Sequence, residues 1–215
     1  MSPTLFQDLS PEEARLARSY FQPLFYPKGK LVFEQGDLGQ SLYLVERGRV
    51  RLYRTHLGGQ EKTLGFLGPG GVFGEMSLLD ASERSASAVA EEDTLLLTLH
   101  RESYFGLIRR LPLFAHNLAR ILAYRLREAN LELDLLAFEE AQSRVAYALL
   151  KLVRQGYGLR LHLRHQDLAA LAGASRETVT RVLHQLKGQG ILRLAPGEVE
   201  VLDERLLEEV AFGLT

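Results

Sequence analysis

The chain has 215 residues, of which 46% are hydrophobic and 25% charged, a length suited to one large domain or two small ones with packed cores. It carries a net charge of −1 and no cysteine, which excludes disulfides, thiolate chemistry and cysteine-held iron–sulfur clusters. No apolar run approaches the roughly 18–20 residues of a membrane span, and Met1-Ser2-Pro3-Thr4 lacks the basic and apolar parts of a secretion signal, so a cytoplasmic location with no membrane partner is expected.

The elements follow in three textures. Ser10-Pro11-Glu12-Glu13 reads as the start of a short helix, with proline in its first turn. Residues 29–74 then hold eleven of the nineteen glycines, spaced between short runs of β-formers: Leu31 to Phe33, Leu42 to Val45, Val50 to Tyr53 and Thr63 to Leu67. A Gly58-Gly59 hairpin signal lies among them, and Thr94 to Leu99 reads as a closing strand. Short strands with regular turns predict an all-β roll.

From about Ser103 the pattern is helical. Leu118, Leu122, Leu126, Ala129, Leu133 and Leu136 recur at spacings of three and four, which places one apolar stripe on a long helix. The stripe runs over more turns than a small β-domain beside it would cover, which points to a two-helix seam between copies of the chain. Its regularity fades at Ala137, Phe138, Glu139 and Glu140, where a hinge is expected. Beyond it, Gln166 to Ala172 predicts a short helix and Gly173-Ala174-Ser175 a turn. Arg176 to Lys187 predicts a second helix capped by Ser175, with Val179, Val182 and Leu183 inward. Ile191 to Leu194 and Glu198 to Leu202 flank a Pro196-Gly197 turn, giving a winged helix-turn-helix outline. Between Arg144 and Arg193 nine basic residues face only Asp167 and Glu177, a local excess of +7 that the average over the chain hides.

The segment from Phe73 to Ala90, FGEMSLLDASERSASAVA, resembles the phosphate-binding cassette of the cyclic-nucleotide-binding domain in the cyclic-AMP receptor protein (CRP/FNR) family. Gly36, Asp37, Gly39, Leu42-Tyr43-Leu44-Val45 and Gly48 are similar to that domain's earlier signature, although Phe33 stands where a smaller residue is usual. The chemistry is coherent, because a cyclic phosphodiester is a compact permanent anion and a partly buried site must replace its water with a cation and backbone donors. Arg84 supplies the cation, while Ser85 and the Ala86 amide supply donors. A short helix expected between Leu78 and Ser82 would add more. The resemblance implies that Gly74 lets the backbone approach the sugar, that Glu75 accepts from a ribose hydroxyl, and that Met76 and Ser77 belong to the same contact set. It further implies that Arg125 pairs with Glu75. Ala129 and Asn130 occupy the places of two adjacent hydroxyl residues that meet adenine, one from each subunit. Asn130 can still offer a donor and an acceptor, whereas Ala129 cannot; cyclic AMP is the expected ligand and cyclic GMP the alternative.

Ser175 to Leu183 is similar to the recognition helix of the same family. Arg176, Glu177 and Arg181 are expected to read base edges, arginine on guanine and glutamate on cytosine. Arg164, Ser175, Thr178, Thr180 and Lys187 are expected at phosphates. The resemblance implies TGTGA-like inverted repeats bound by a homodimer, with RNA polymerase as a further partner. The expected architecture is therefore α+β: a cyclic-nucleotide-binding β-roll (jelly roll) over 1–110, a dimerisation helix and hinge over 111–138, and a winged helix-turn-helix over 139–215. The expected function is that of a non-enzymatic regulator, an activator rather than a catalyst. Metal-dependent oxygenase chemistry would need clustered histidines, and only His56 and His100 fall in the β-region, so neither catalytic nor metal-binding residues are assigned. A regulator of the same fold that acts without nucleotide, or with another effector, stays open.

Overall fold

The computed structural model describes residues 3–56, 58–59, 61–138 and 140–213, with side chains for all of these except 132 and 135–138. The chain divides into two compact units between Leu126 and Arg127.

The first unit begins with α1 (Pro11–Arg18), where Ser10 and Glu13 cap each other reciprocally. Eight strands follow: β1 (Gln22–Tyr26), β2 (Leu31–Phe33), β3 (Ser41–Arg47), β4 (Val50–Thr55), β5 (Glu61–Leu67), β6 (Val72–Phe73), β7 (Ser87–Ala90) and β8 (Thr94–His100). They form two antiparallel sheets, ordered β1-β8-β3-β6 and β2-β7-β4-β5. The predicted runs lie in β2, β3, β4, β5 and β8. Three strands escaped the sequence reading: β1 contains Pro23, tolerated because β1 is an edge strand, β6 is only two residues long, and β7 is built of small residues.

Val45, Val50, Phe73, Ala88 and Leu96 make one core of the roll. Leu42, Leu44 and Leu99 join a second core with Leu107, Phe114, Leu118 and Ile121 from the helices. Those helices are α3 (Arg101–Arg110) and α4 (Pro112–Phe138), which break at Leu111, so the helical stretch expected from Ser103 is two helices, with Pro112 in the first turn of the second. A further short helix, α2 (Glu75–Asp80), starts three residues before the expected Leu78 because left-handed Gly74 (φ 74°) turns the chain there. It ends at left-handed Ala81, so Ser82 lies outside it.

The apolar stripe on α4 splits in two. Leu118 is 1% exposed in the first unit's core, whereas Leu126 and Leu133 are each 63% exposed within the chain. The side chain of Leu136 and the expected hinge residue Glu139 lie outside the described residues.

The second unit contains α5 (Ala141–Leu152), one π turn (Val153–Tyr157), β9 (Arg160–His162), α6 (His165–Ala172), α7 (Arg176–Gly188), β10 (Leu192–Ala195), β11 (Glu198–Val201) and α8 (Glu204–Ala211). Leu149, Leu168, Val179, Leu183 and Leu207 are fully buried among them. The expected hairpin forms from β10 and β11, and β9, which was not expected, adds to the free edge of β11 to make a three-stranded wing, β10-β11-β9. Gly173, expected in a turn, is the left-handed residue (φ 59°) that closes α6, and Ala169 is buried.

Candidate functional site

The cassette is organised around Arg84, a guanidinium that is 5% exposed. Its backbone is fixed by the β2–β3 loop: Gly36 N donates to Arg84 O at 2.9 Å, and Arg84 N donates to Asp37 O at 2.8 Å. The Asp37 carboxylate holds that loop by accepting from Glu34 N at 2.8 Å. The side chain then enters the roll, where Nη1 donates to Gly74 O at 2.8 Å and to Ser77 Oγ at 2.7 Å. Both hydrogens of Nη1 are thereby committed. Gly39 makes room, since a Cβ there would stand 2.4 Å from Arg84 Nε and from Ser77 Oγ. The Gly36-Asp37 and Gly39 signature and the Arg84 cassette are thus two sides of one niche.

Among the described residues Arg84 forms no ion pair with a carboxylate. Burial pushes its pKa down from the usual arginine value, while Tyr43, Glu75 and Asp37 oppose that shift; an arginine remains charged regardless. A buried cation without a paired anion is costly, by several kcal/mol in typical proteins, and the arrangement therefore favours an incoming anion. Glu75 does not neutralise it. That carboxylate, itself 4% exposed, pairs with Arg125 Nη1 at 2.8 Å, and Arg125 also donates to Val72 O.

Ser85 and Met76 are exposed, with the Ser85 hydroxyl 3.7 Å from Met76 Sδ, and Ala86 is buried at the start of the turn into β7. An open cavity of about 610 Å³ adjoins the niche, lined by Gln35, Gly36, Arg54 and the 82–85 segment. Gly74, Glu75, Ser77, Arg84 and Arg125 are thus gathered in the first unit. Ala129 and Asn130 are exposed on α4 in the second unit.

The sequence reading missed the floor of the niche. The Phe33 ring lies 4.2 Å from the Arg84 guanidinium carbon and Tyr43 lies 5.7 Å from it, both within cation–π range. Tyr43 stacks on Phe73 at 5.2 Å. Phe33 comes from β2, Tyr43 from β3 and Arg84 from the segment before β7, so no linear spacing links them; the unusual size of Phe33 was the available signal.

In the second unit, Ser175 caps α7 by accepting from Thr178 N at 3.1 Å and donating to Thr178 Oγ1 at 3.0 Å. Arg176, Glu177, Arg181 and Lys187 are exposed along the helix. The Glu177 carboxyl is held below its ordinary range by its own backbone amide, then by Ser175 and Arg176. Besides the Ser175–Thr178 pair, two more of the expected phosphate contacts have partners inside the protein. Thr180 Oγ1 donates to Arg176 O at 2.9 Å and lies 2.9 Å from His165 Nδ1, and Arg164 grips Asp167 through Nε at 2.9 Å and Nη2 at 3.0 Å.

The local excess of +7 is also smaller in three dimensions. Glu200 pairs with Arg160 at 3.0 Å and Arg193 at 2.6 Å, and Glu208 pairs with Arg154 at 2.5 Å. Those acids follow Arg193 in sequence, beyond the basic stretch. Arg181 and Lys187 have no ion pair among the described residues, so uncompensated positive charge remains on α7.

A β-roll with an anion niche and a separate winged helix-turn-helix define a ligand-responsive, DNA-binding regulator. Residues 23–110 match the cyclic nucleotide-binding domain family and residues 143–210 the Crp-like helix-turn-helix domain. The chain is 70% identical over 210 residues to the cyclic AMP receptor protein of Thermus thermophilus, covering 98% of this chain and 97% of that one. It is 33% identical over 210 residues to the CRP-like cAMP-activated global transcriptional regulator of Mycobacterium tuberculosis, with 94% of each covered. The crystal structure of Thermus thermophilus catabolite activator protein is similar at 69% identity and a TM-score of 0.60, over 98% and 99% of the two chains. FixK2 from Bradyrhizobium japonicum is similar at 27% identity and a TM-score of 0.77, over 88% and 96%. The chain belongs to the cyclic-AMP receptor protein (CRP/FNR) family of transcription regulators, which are not enzymes. No described helix is long and apolar enough to cross a membrane.

Proposed function

We propose that this regulator is controlled by cyclic AMP and activates transcription as a cytoplasmic homodimer bound to inverted TGTGA-like sites, where it also meets RNA polymerase. The observation that carries the ligand reading is the buried Arg84 guanidinium without a carboxylate partner, which a ring phosphate would neutralise. Ser85 and the Ala86 amide add donors, Glu75 accepts from the ribose, Arg125 holds that carboxylate in place, and Gly74, Met76 and Ser77 complete the wall. Asn130 reads the base edge, a contact that Ala129 beside it cannot make. The name of the 70% identical relative favours cyclic AMP over cyclic GMP.

The exposed Leu126 and Leu133 on α4 form the self-association seam. Arg176, Glu177 and Arg181 read bases. Lys187, Ser175, Thr178, Thr180 and Arg164 position the protein on phosphates, the last two after exchanging their present partners. The working division of the chain is 1–110, 111–138 and 139–215. Ligand acts by favouring the DNA-competent arrangement, which requires that this arrangement bind nucleotide more tightly. Calorimetry with cyclic AMP and cyclic GMP tests the ligand directly: saturable, tighter binding of cyclic AMP is expected, and heat from neither nucleotide would overturn the proposal.

A further inference from the structure

We infer that Phe33 is a positioning residue for the anion niche, holding the Arg84 guanidinium inside the roll before any ligand arrives. The inference rests on the reading of Arg84 as the phosphate-binding cation. Three contacts define the pose of that side chain. Gly74 O and Ser77 Oγ take both hydrogens of Nη1, and the Phe33 ring faces the guanidinium carbon at 4.2 Å. Tyr43 contributes more weakly at 5.7 Å. Tyr43 also hydrogen-bonds the guanidinium, and the Nε and Nη2 edge, which neither Gly74 nor Ser77 engages and which an arginine presents as a planar fork, is the one available to a phosphate.

Without a carboxylate to hold it, a buried guanidinium is drawn toward water. The aromatic floor opposes that escape with an attraction that strengthens where water is excluded. The consequence is a matter of populations, because apparent affinity falls in proportion to the fraction of molecules whose binding group is already in place. Phe33→Leu keeps an apolar filler but removes the ring quadrupole. About one molecule in ten retaining the inward arginine would weaken nucleotide binding about tenfold. Phe33→Tyr restores a π face and restores affinity. A ring that merely filled space would behave differently, since leucine would substitute for it and melting temperature would track affinity.

The experiment is a double-mutant cycle in the full-length protein, with cyclic AMP as the titrant in calorimetry and each variant's fold checked by thermal melting. Expected results are a loss of about tenfold for Phe33→Leu, near-parental affinity for Phe33→Tyr, a larger loss for Arg84→Leu, and no further loss when Phe33→Leu is added to Arg84→Leu. Unchanged affinity in Phe33→Leu, with Arg84→Leu impaired, overturns the positioning role alone. So does an equal loss from Phe33→Leu in both backgrounds, because that loss would not pass through the arginine. Unchanged affinity in Arg84→Leu overturns the underlying assignment of the cation instead. If Phe33→Leu fails to fold, Phe33→Met serves in its place with the same expected loss.

Discussion

Gly39→Ala tests the niche with a single methyl group. The added Cβ would lie 2.4 Å from Arg84 Nε and from Ser77 Oγ, and 2.5 Å from the guanidinium carbon, distances at which something must move. Backbone strain is not involved, because Gly39 is absent from the glycines with positive φ. Two of the three atoms in the way belong to the end of the long Arg84 side chain and the third, Ser77 Oγ, to a short side chain bonded to it, so the guanidinium leaves while the fold persists. Leaving breaks the two Nη1 hydrogen bonds and removes the cation from the phosphate position. A hydrogen bond to a charged group is worth about 1.5–3 kcal/mol, so losing the phosphate contact weakens nucleotide binding by roughly ten- to hundredfold. Gly36→Ala is the control, since its Cβ meets nothing within 4 Å although its φ of 90° disfavours a side chain. That variant should lose about 1–2 kcal/mol of stability through backbone strain but bind nucleotide nearly normally. Calorimetry with cyclic AMP and thermal melting of both variants decide the matter. Parental affinity in Gly39→Ala would show that the buried pose of Arg84 is not the binding pose.

Other expectations concern the remaining parts. Arg181→Ala should cost about 1–3 kcal/mol in operator binding and relax specificity at one base position, whereas Lys187→Ala should weaken all sequences alike and flatten the salt dependence, both measurable by fluorescence anisotropy. Leu126→Asp with Leu133→Asp should convert a dimer to monomers in sedimentation equilibrium, because each leucine buried in a seam contributes about 1.5–3 kcal/mol; an unchanged mass would remove α4 from the interface. Glu13 is held below the usual carboxylate range by the Ser10 amide and hydroxyl, so its contribution to folding is present above that range and fades as pH falls through the lowered value. Glu13→Gln should therefore lower the melting temperature at neutral pH, and the difference from the parent should shrink in acid.

Much of this architecture was legible because the relevant constraints are local. Ser175 caps α7 where a serine before an amphipathic run should, and Val179, Val182 and Leu183 turn inward as their spacing requires. The cassette also carried its own signal, since Arg84 and the glycines before it lie in short recognisable strings. What escaped depends on partners brought together only by folding. Phe33 and Tyr43 meet Arg84 across three separate segments. Glu200 cancels charge on Arg160 and Arg193 because β11 lies between β9 and β10. Thr180, exposed on a helical wheel, is engaged by His165 from the preceding helix. Strand β7 was hidden by composition, for Ser87-Ala88-Val89-Ala90 has little β-preference and pairs because β2 and β4 flank it.

The most direct measurement is operator binding of the full-length protein, titrated by anisotropy with and without saturating cyclic AMP, in the parent and in Arg84→Leu. Coupling between the niche and α7 predicts that nucleotide tightens DNA binding at least about fivefold in the parent, that DNA tightens nucleotide binding by the same factor, and that Arg84→Leu abolishes both. Equal operator affinity with and without nucleotide in the parent would contradict it.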